Sequence, residues 1–247
     1  MTGTYRIADL NIGITSLHEG VHRLCAAYSS PDPEPDLAVT TSQADIDFEL
    51  EKSRREAALE GIPAPRCSDA YLETLAVYRQ IAERLPAYDT VLFHGSCVAV
   101  DGVGYLFTAK SGTGKSTHTR LWRELLGDRA VMINDDKPLI RIADDGAVIY
   151  GTPWDGKHRL STNASVPLRA ICILERSEAN RIEPINTREA YPMLLQQVYR
   201  PADAEAMRKT LTLIDRLGRT VRLWRLNCNM DIESARLAYD TINEGKT

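Results

Sequence analysis

Tyr105-Leu106-Phe107-Thr108-Ala109-Lys110-Ser111-Gly112-Thr113-Gly114-Lys115-Ser116-Thr117-His118 decides how the rest of this chain is read. Four strand-forming residues enter a glycine- and serine-rich turn, and a helical stretch from His118 to Leu126 leaves it. The segment matches the end of the pattern G-x-x-x-x-G-K-[ST] in the strand–loop–helix setting that the pattern requires. Gly112 and Gly114 let the backbone turn its N–H groups inward, close to phosphate oxygens. The N-terminus of the following helix adds partial positive charge. Lys115 reaches the outer phosphates as a point charge, and the Ser116 hydroxyl is a magnesium ligand. Ser111, Gly112, Thr113, Gly114, Lys115, Ser116 and Thr117 are therefore expected to hold ATP with Mg2+. The first glycine of the pattern is Ala109, which tolerates many loop geometries but not a strongly positive φ. The bland alternative is a chance Gly/Ser-rich turn, and the agreement of strand, loop and helix weighs against it.

A phosphate loop binds nucleotide without doing chemistry, so a carboxylate at the end of a neighbouring strand is the next feature sought. Asn134-Asp135-Asp136 follows the apolar run Ala130 to Ile133, about twenty residues beyond the loop. One aspartate can enter the magnesium shell, and the other can accept a proton from an attacking hydroxyl. Alternatively the triplet is an ordinary acidic turn before Pro138.

The chain has 247 residues, 43% of them hydrophobic, enough for a large core. Its formal charge of -4 supplies no basic field, so no nucleic-acid partner is expected. No unbroken apolar stretch reads as a signal peptide or a membrane span. The five cysteines (Cys25, Cys67, Cys97, Cys172, Cys228) are dispersed. That usage reads as reduced thiols in a cytoplasmic protein without structural zinc.

Residues 1–88 differ in texture from the rest and read as a small N-terminal α/β lobe, with 89–247 as the nucleotide-binding domain. The lobe holds the stiff loop Pro31 to Pro35, a charged helix from Asp45 to Gly61, and a helix after Ser68-Asp69. The apolar face of that last helix is read as Tyr71, Leu75, Tyr78, Ala82 and Leu85. His18 and His22 read as a solvated face. Beyond Thr90 short strands dominate: 91–93, 96–100 and 105–108, with Asp101-Gly102 as a hairpin turn. Further strands are read at 130–133, 138–142, 147–150, 168–174 and 221–226. Asn186 with Glu189 predicts a capping box. A helix from Ala204 is expected to stop at Leu217, with Gly218 as its C-terminal cap, and another helix spans 232–242.

His94-Gly95-Ser-Cys-Val-Ala-Val-Asp-Gly-Val-Gly-Tyr-Leu-Phe-Thr, the loop and Asn-Asp135-Asp136 together resemble the HPr kinase/phosphorylase family, within the phosphoenolpyruvate-carboxykinase-like P-loop proteins. The match covers about residues 90–142 and weakens toward Asn180-Arg181. The resemblance implies a mixed α+β fold with a strongly curved sheet. It implies Asp136 as catalytic base, Asp135 at the metal, His94 near the phosphates, Lys115 on the phosphates and Arg181 as a catalytic arginine. It also implies a hydroxyl-bearing acceptor (a serine of a protein or peptide, or a small molecule) and a homo-oligomer, although no segment specifies an interface. Two departures stand out. The family's magnesium-binding glutamate has no counterpart in Val148-Ile-Tyr-Gly151, where Asp155 is the candidate substitute, and the stretch linked to phosphorolysis is not recognisable. Lys157, His158 and Arg159 read either as groups for transition-state charge stabilisation or acceptor binding, or as a solvated basic loop. A kinase, a non-catalytic nucleotide-dependent regulator and, less readily, a carboxykinase all remain open on sequence alone.

Overall fold

The computed structural model describes residues 1–156 and 158–244, apart from the side chain of Glu60. The chain divides into two units, Met1–Arg84 and Leu85–Thr247.

In the first unit, β1 (Thr2–Ile7) turns directly into β2 (Leu10–Thr15) and pairs with it antiparallel. The two turn residues, Ala8 and Asp9, have φ of 51° and 58°, the mirror-image turn that matches strand twist. Asp9 is of a type enriched in that region, but Ala8 is not, so Ala-Asp does not announce the turn. After α1 (Gly20–Leu24), β3 (Leu37–Thr40) adds parallel to β2. α2 (Gln43–Glu60) starts at a capping box between Ser42 and Asp45 and stops at Gly61, whose φ is 67°. α3 (Asp69–Arg84) buries Leu72, Ala76, Val77 and Ile81. The sequence reading placed the buried face one residue off at its start, since Tyr71 is half-exposed. Glu73 explains the offset. Its buried carboxylate accepts the Leu17 and His18 amides at 2.6 and 2.8 Å and the Thr41 hydroxyl at 2.6 Å, so a charged residue sits on the inward stripe. His22 is not merely solvated, for it bridges the Tyr5 hydroxyl (2.6 Å) and the Ser16 hydroxyl (2.9 Å).

The second unit is mixed α+β. Its strands are β4 (Thr90–Leu92), β5 (Ser96–Val100), β6 (Val103–Thr108), β7 (Ala130–Asn134), β8 (Leu139–Ile142), β9 (Ala147–Tyr150), β10 (Ser165–Arg176), β11 (Arg181–Pro184) and β12 (Arg222–Cys228). Its helices are α4 (Lys115–Leu126), α5 (Thr187–Gln197), α6 (Ala204–Thr220) and α7 (Ile232–Asn243). Among the described residues the strands form one mixed sheet, ordered β4-β8-β9-β10-β6-β5-β7, with β12 on β10 and β11 on β12. β6 runs parallel to β10, and β10 parallel to β12. β5 is antiparallel to both β6 and β7. The ends of β6, β7, β10 and β12 and the beginning of β5 therefore share one edge of the sheet.

Both faces of this sheet are covered, which is why its strands read as apolar runs rather than alternating ones. Cys97, Ala99, Leu106, Ile171 and Ile173 face a core with Leu194, Leu213, Ile214 and Leu217 of α5 and α6. Val98, Tyr105, Phe107, Cys172 and Leu174 face Leu121 and Trp122 of α4 and Ala235, Ala238 and Ile242 of α7. α5 opens at the expected capping box, Asn186 and Glu189 each accepting the other's backbone N–H at 3.1 Å. α6 does not stop at Gly218 but runs on to Thr220. Gly218 is a contact glycine: a Cβ there would lie 2.5 Å from Thr187 Cγ2, and the Thr187 hydroxyl donates to the Gly218 carbonyl at 2.6 Å. All five cysteines are free, and Cys97 and Cys172 are buried in the sheet. No described helix is long and apolar enough to cross a membrane.

Trp122 is the largest fully buried side chain, with ring contacts to Tyr105, Phe107 and Tyr239 at centroid distances of 4.9, 5.1 and 5.5 Å. Trp122→Ala should cost roughly 3–5 kcal/mol through lost burial and a residual cavity, read as a lower urea midpoint with an unchanged slope.

Candidate functional site

The loop between β6 and α4 takes up the conformation that its glycines allow. Gly112 and Gly114 have φ of 75° and 123°, while Ala109 is not among the residues with positive φ. The departure at Ala109 thus falls where alanine is acceptable. Its carbonyl accepts a hydrogen bond from Lys115 Nζ at 3.2 Å, closing the loop on itself. α4 begins at Lys115, three residues before the sequence reading placed it, so Ser116 and Thr117 lie in its first turn. Burial lowers the Lys115 pKa, and the nearby Asp136 charge opposes the shift.

Sheet topology gathers the rest. β7 ends at the same edge, delivering Asn134-Asp135-Asp136 beside the loop. The Asn134 carboxamide fixes this turn: its Oδ1 accepts the Asp136 and Lys137 amides at 2.9 and 2.7 Å, and its Nδ2 donates to the Thr152 hydroxyl and carbonyl. β5 begins at this edge too, and the preceding His94 is tied down through its backbone. The His94 amide donates to the Gln197 carbonyl at 2.8 Å, and the Thr108 hydroxyl donates to the His94 carbonyl at 3.1 Å. His94 Nε2 then stands 3.4 Å from Asp136 Oδ1.

These groups line one cavity of about 910 Å3, which includes His94, Ser111, Gly112, Gly114, Lys115, Ser116, Thr117, Asp135 and Asp136. Thr113 faces a different cavity on the other flank of the loop. Arg181 does not join the cluster. It lies on β11, exposed, paired with Glu183 at 2.6 Å, and does not line the cavity. The guanidinium at the loop is instead Arg176, at the end of β10, which donates to the Gly112 and Thr113 carbonyls at 2.5 and 3.3 Å. Arg120 and Arg123 of α4 also line the cavity, as does His158. The spacing of Ser116, Arg120 and Arg123 along one helix face was the available signal for them. Lys157 lies outside the described residues. Arg159 ion-pairs with Asp155 at 3.9 Å and does not line the cavity.

The two aspartates differ electrostatically. Burial pushes the Asp136 carboxyl up, but the hydrogen bond from His94 and the charges of Lys137, His94 and Lys115 outweigh it, and the net shift is down. Burial also raises Asp135, the Gly156 amide opposes this from 2.6 Å, and the charges of Asp155 and Asp136 add to the rise. Gly156 leaves no room for a side chain, since its Cβ would stand 2.8 Å from Asp135 Oδ2. Asp155, the substitute considered for the missing glutamate, stands behind Asp135 rather than in the cavity. Its Oδ2 accepts the Ser161 hydroxyl at 2.9 Å, while its buried Oδ1 has no hydrogen bond among the described residues.

A family model for the SynChlorMet cassette protein ScmC matches residues 69–231. That span exceeds half of the chain, and the chain belongs to this family. No curated protein matches the sequence. Among solved structures, the Hpr(Ser) kinase/phosphatase from Coxiella burnetii aligns over 61% of this chain and 92% of its own, at 11% identity and a TM-score of 0.31.

A carboxylate raised by its neighbours costs stability while ionised; that cost begins to fall as pH drops through its folded-state pKa and is gone below its unfolded-state pKa. Asp135→Asn should therefore raise the melting temperature of the magnesium-free protein at pH 7. The gain should shrink as pH drops into the carboxylate range, where wild-type Asp135 itself becomes neutral. Asp136, shifted the other way, should stabilise at neutral pH and lose that contribution as pH falls through its lowered value. Thermal melts of Asp135→Asn and Asp136→Asn from neutral pH down through the carboxylate range to about pH 2 check both signs.

Proposed function

We propose that this chain is an ATP-dependent phosphotransferase that moves the terminal phosphoryl group to a hydroxyl acceptor, a serine of a protein or peptide or a small-molecule alcohol. The observation that carries the proposal is the single cavity in which Lys115 and Ser116 stand on one side and Asp136 with His94 on the other.

Each group has a part that follows from its surroundings. The loop amides and the Lys115 ammonium hold the phosphates. Lys115 can leave the Ala109 carbonyl for a phosphate oxygen by a short swing of a flexible stem, and the low pKa imposed by burial is restored once an anion arrives. Asp136, kept ionised by His94, Lys137 and Lys115, accepts a hydrogen bond from the acceptor hydroxyl and orients its oxygen toward phosphorus. Phosphoryl transfer passes through a loose transition state that needs positioning and charge compensation more than a strong base, so a depressed pKa suits the role. The acceptor would enter along the Arg120, Arg123 and His158 side of the cavity.

The acid cluster fits a hard cation. Asp135 and Asp155 repel each other, Asp155 Oδ1 has no hydrogen bond among the described residues although the exposed Arg159 guanidinium lies 3.9 Å away, and Ser116 is open to the cavity. Among the described residues no three His, Cys, Asp or Glu side chains form a metal site by themselves, and magnesium characteristically takes one or two carboxylates together with phosphate oxygens and water. Ser116 and Asp135 would hold it, and it would supply charge neutralisation between the outer phosphates.

A second reading, a nucleotide-dependent regulator without transfer, is favoured by one observation. β9 ends in Val148-Ile149-Tyr150, with no carboxylate to complete the metal shell.

Titration calorimetry with Mg–ATP and transfer from γ-labelled ATP to serine-containing acceptors separate the two. Lys115→Ala should weaken Mg–ATP binding by about tenfold or more, the value of one charge-assisted contact. Asp136→Asn should leave binding nearly intact and cut transfer by roughly 10²-fold or more. Binding with no turnover in the wild type, and no effect of Asp136→Asn, would establish the regulator instead.

A further inference from the structure

On the flank of the phosphate loop away from the aspartates lies a second cavity, of about 630 Å3. It opens at the carboxyl ends of β10 and β12, where open sheets with parallel strands bind ligands beyond their strand ends. Leu121, Leu174, Cys228 and Met230 give it apolar walls, and Thr113, Gly114 and Thr117 of the loop and α4 form the wall shared with the phosphates. His118 also lines it. Its Nε2 accepts the Trp122 indole N–H at 3.1 Å, and burial lowers its pKa to about 4, so the imidazole is neutral and the slot carries no histidine charge. Met230 is 69% exposed at the mouth, a large flexible apolar side chain.

The two segments forming the mouth are fastened to each other. The Ser177 amide donates to the Cys228 carbonyl at 3.0 Å, the Asn229 amide to the Asn180 carboxamide at 2.9 Å, and Asn229 Nδ2 to the Glu178 carbonyl at 3.3 Å. Arg176 links this mouth to the phosphate loop through the Gly112 and Thr113 carbonyls. A preformed apolar slot with a polar rim, continuous with an anion-binding loop, suits a flat ring carried on a phosphate chain.

We propose that this second cavity takes the nucleobase and ribose of the bound nucleotide, with the base held between Leu121 and Leu174 on one side and Met230 on the other. This rests on the phosphate-loop reading above, and it sets a direction: the nucleotide enters over β10 and β12, crosses the loop at Gly114 and Thr117, and presents its terminal phosphoryl group to Asp136. Asn229 and Arg176 are already engaged within the rim and loop, so stacking and shape hold the base more than hydrogen bonds to its edge.

Titration calorimetry of the full chain in magnesium, with ATP and with inorganic tripolyphosphate as a base-free probe, tests this. Wild-type protein should bind ATP at least about tenfold more tightly than tripolyphosphate. Met230→Glu, at an exposed position, and Ser177→Trp, which fills the slot from the rim, should each weaken ATP by about tenfold and leave tripolyphosphate within about twofold of wild type. Equal affinity for the two ligands in the wild type overturns the slot while leaving the phosphate loop standing. So does a loss shared by both ligands in the variants, or ATP binding unchanged in both. Binding of neither ligand by the wild type overturns the phosphate loop and the slot with it.

Discussion

The second unit is organised around one constraint: β6 is an interior strand that must leave the sheet at Thr108 without leaving its backbone polar groups unsatisfied. Up to that point its groups are matched, antiparallel by β5 and parallel by β10. Beyond it the chain can neither continue the sheet nor yet be helical. Two positive-φ glycines, the Lys115 ammonium on the Ala109 carbonyl and the Arg176 guanidinium on the Gly112 and Thr113 carbonyls stabilise that interval. The loop is thus held from both flanks by cations on its carbonyls.

The same edge concentrates opposite charges under partial burial. Asp136 sits among His94, Lys137 and Lys115 and is held ionised, while Asp135 sits among carboxylates and is pushed toward its neutral form. Adjacent residues of the same type thereby acquire different chemistry from environment alone, the pattern by which acid–base and metal-binding roles separate. The raised state of Asp135 is the local cost of gathering carboxylates under partial burial.

Much of the second unit could be read from its sequence because its signals are local. The capping box at Asn186, the Asp101-Gly102 turn with φ of 51° and 78°, and the apolar runs of β5, β6, β7 and β10 each follow from a few adjacent residues. Where the reading went astray, a distant partner had overridden the local preference. Gly218 is needed for its contact with Thr187, not for a helix end. Glu73 belongs inside because three donors from two other segments meet it. The β1–β2 hairpin was invisible because Ala8 adopts a left-handed conformation that alanine does not favour.

The sequence by itself determined the loop between β6 and α4, since strand, positive-φ glycines, lysine and helix start are contiguous and each acts on its immediate neighbours. It also determined the acidic turn at Asn134 to Asp136 as a chemical feature. Only the tertiary structure decided which groups share a cavity, because that depends on strand order and direction, which span a hundred residues and leave no local trace. Strand direction brings β5's start to β6's end and so sets His94 against Asp136. It brings the end of β10 there as well, making Arg176 rather than Arg181 the guanidinium at the loop, and it places Asp155 behind Asp135 instead of within the site.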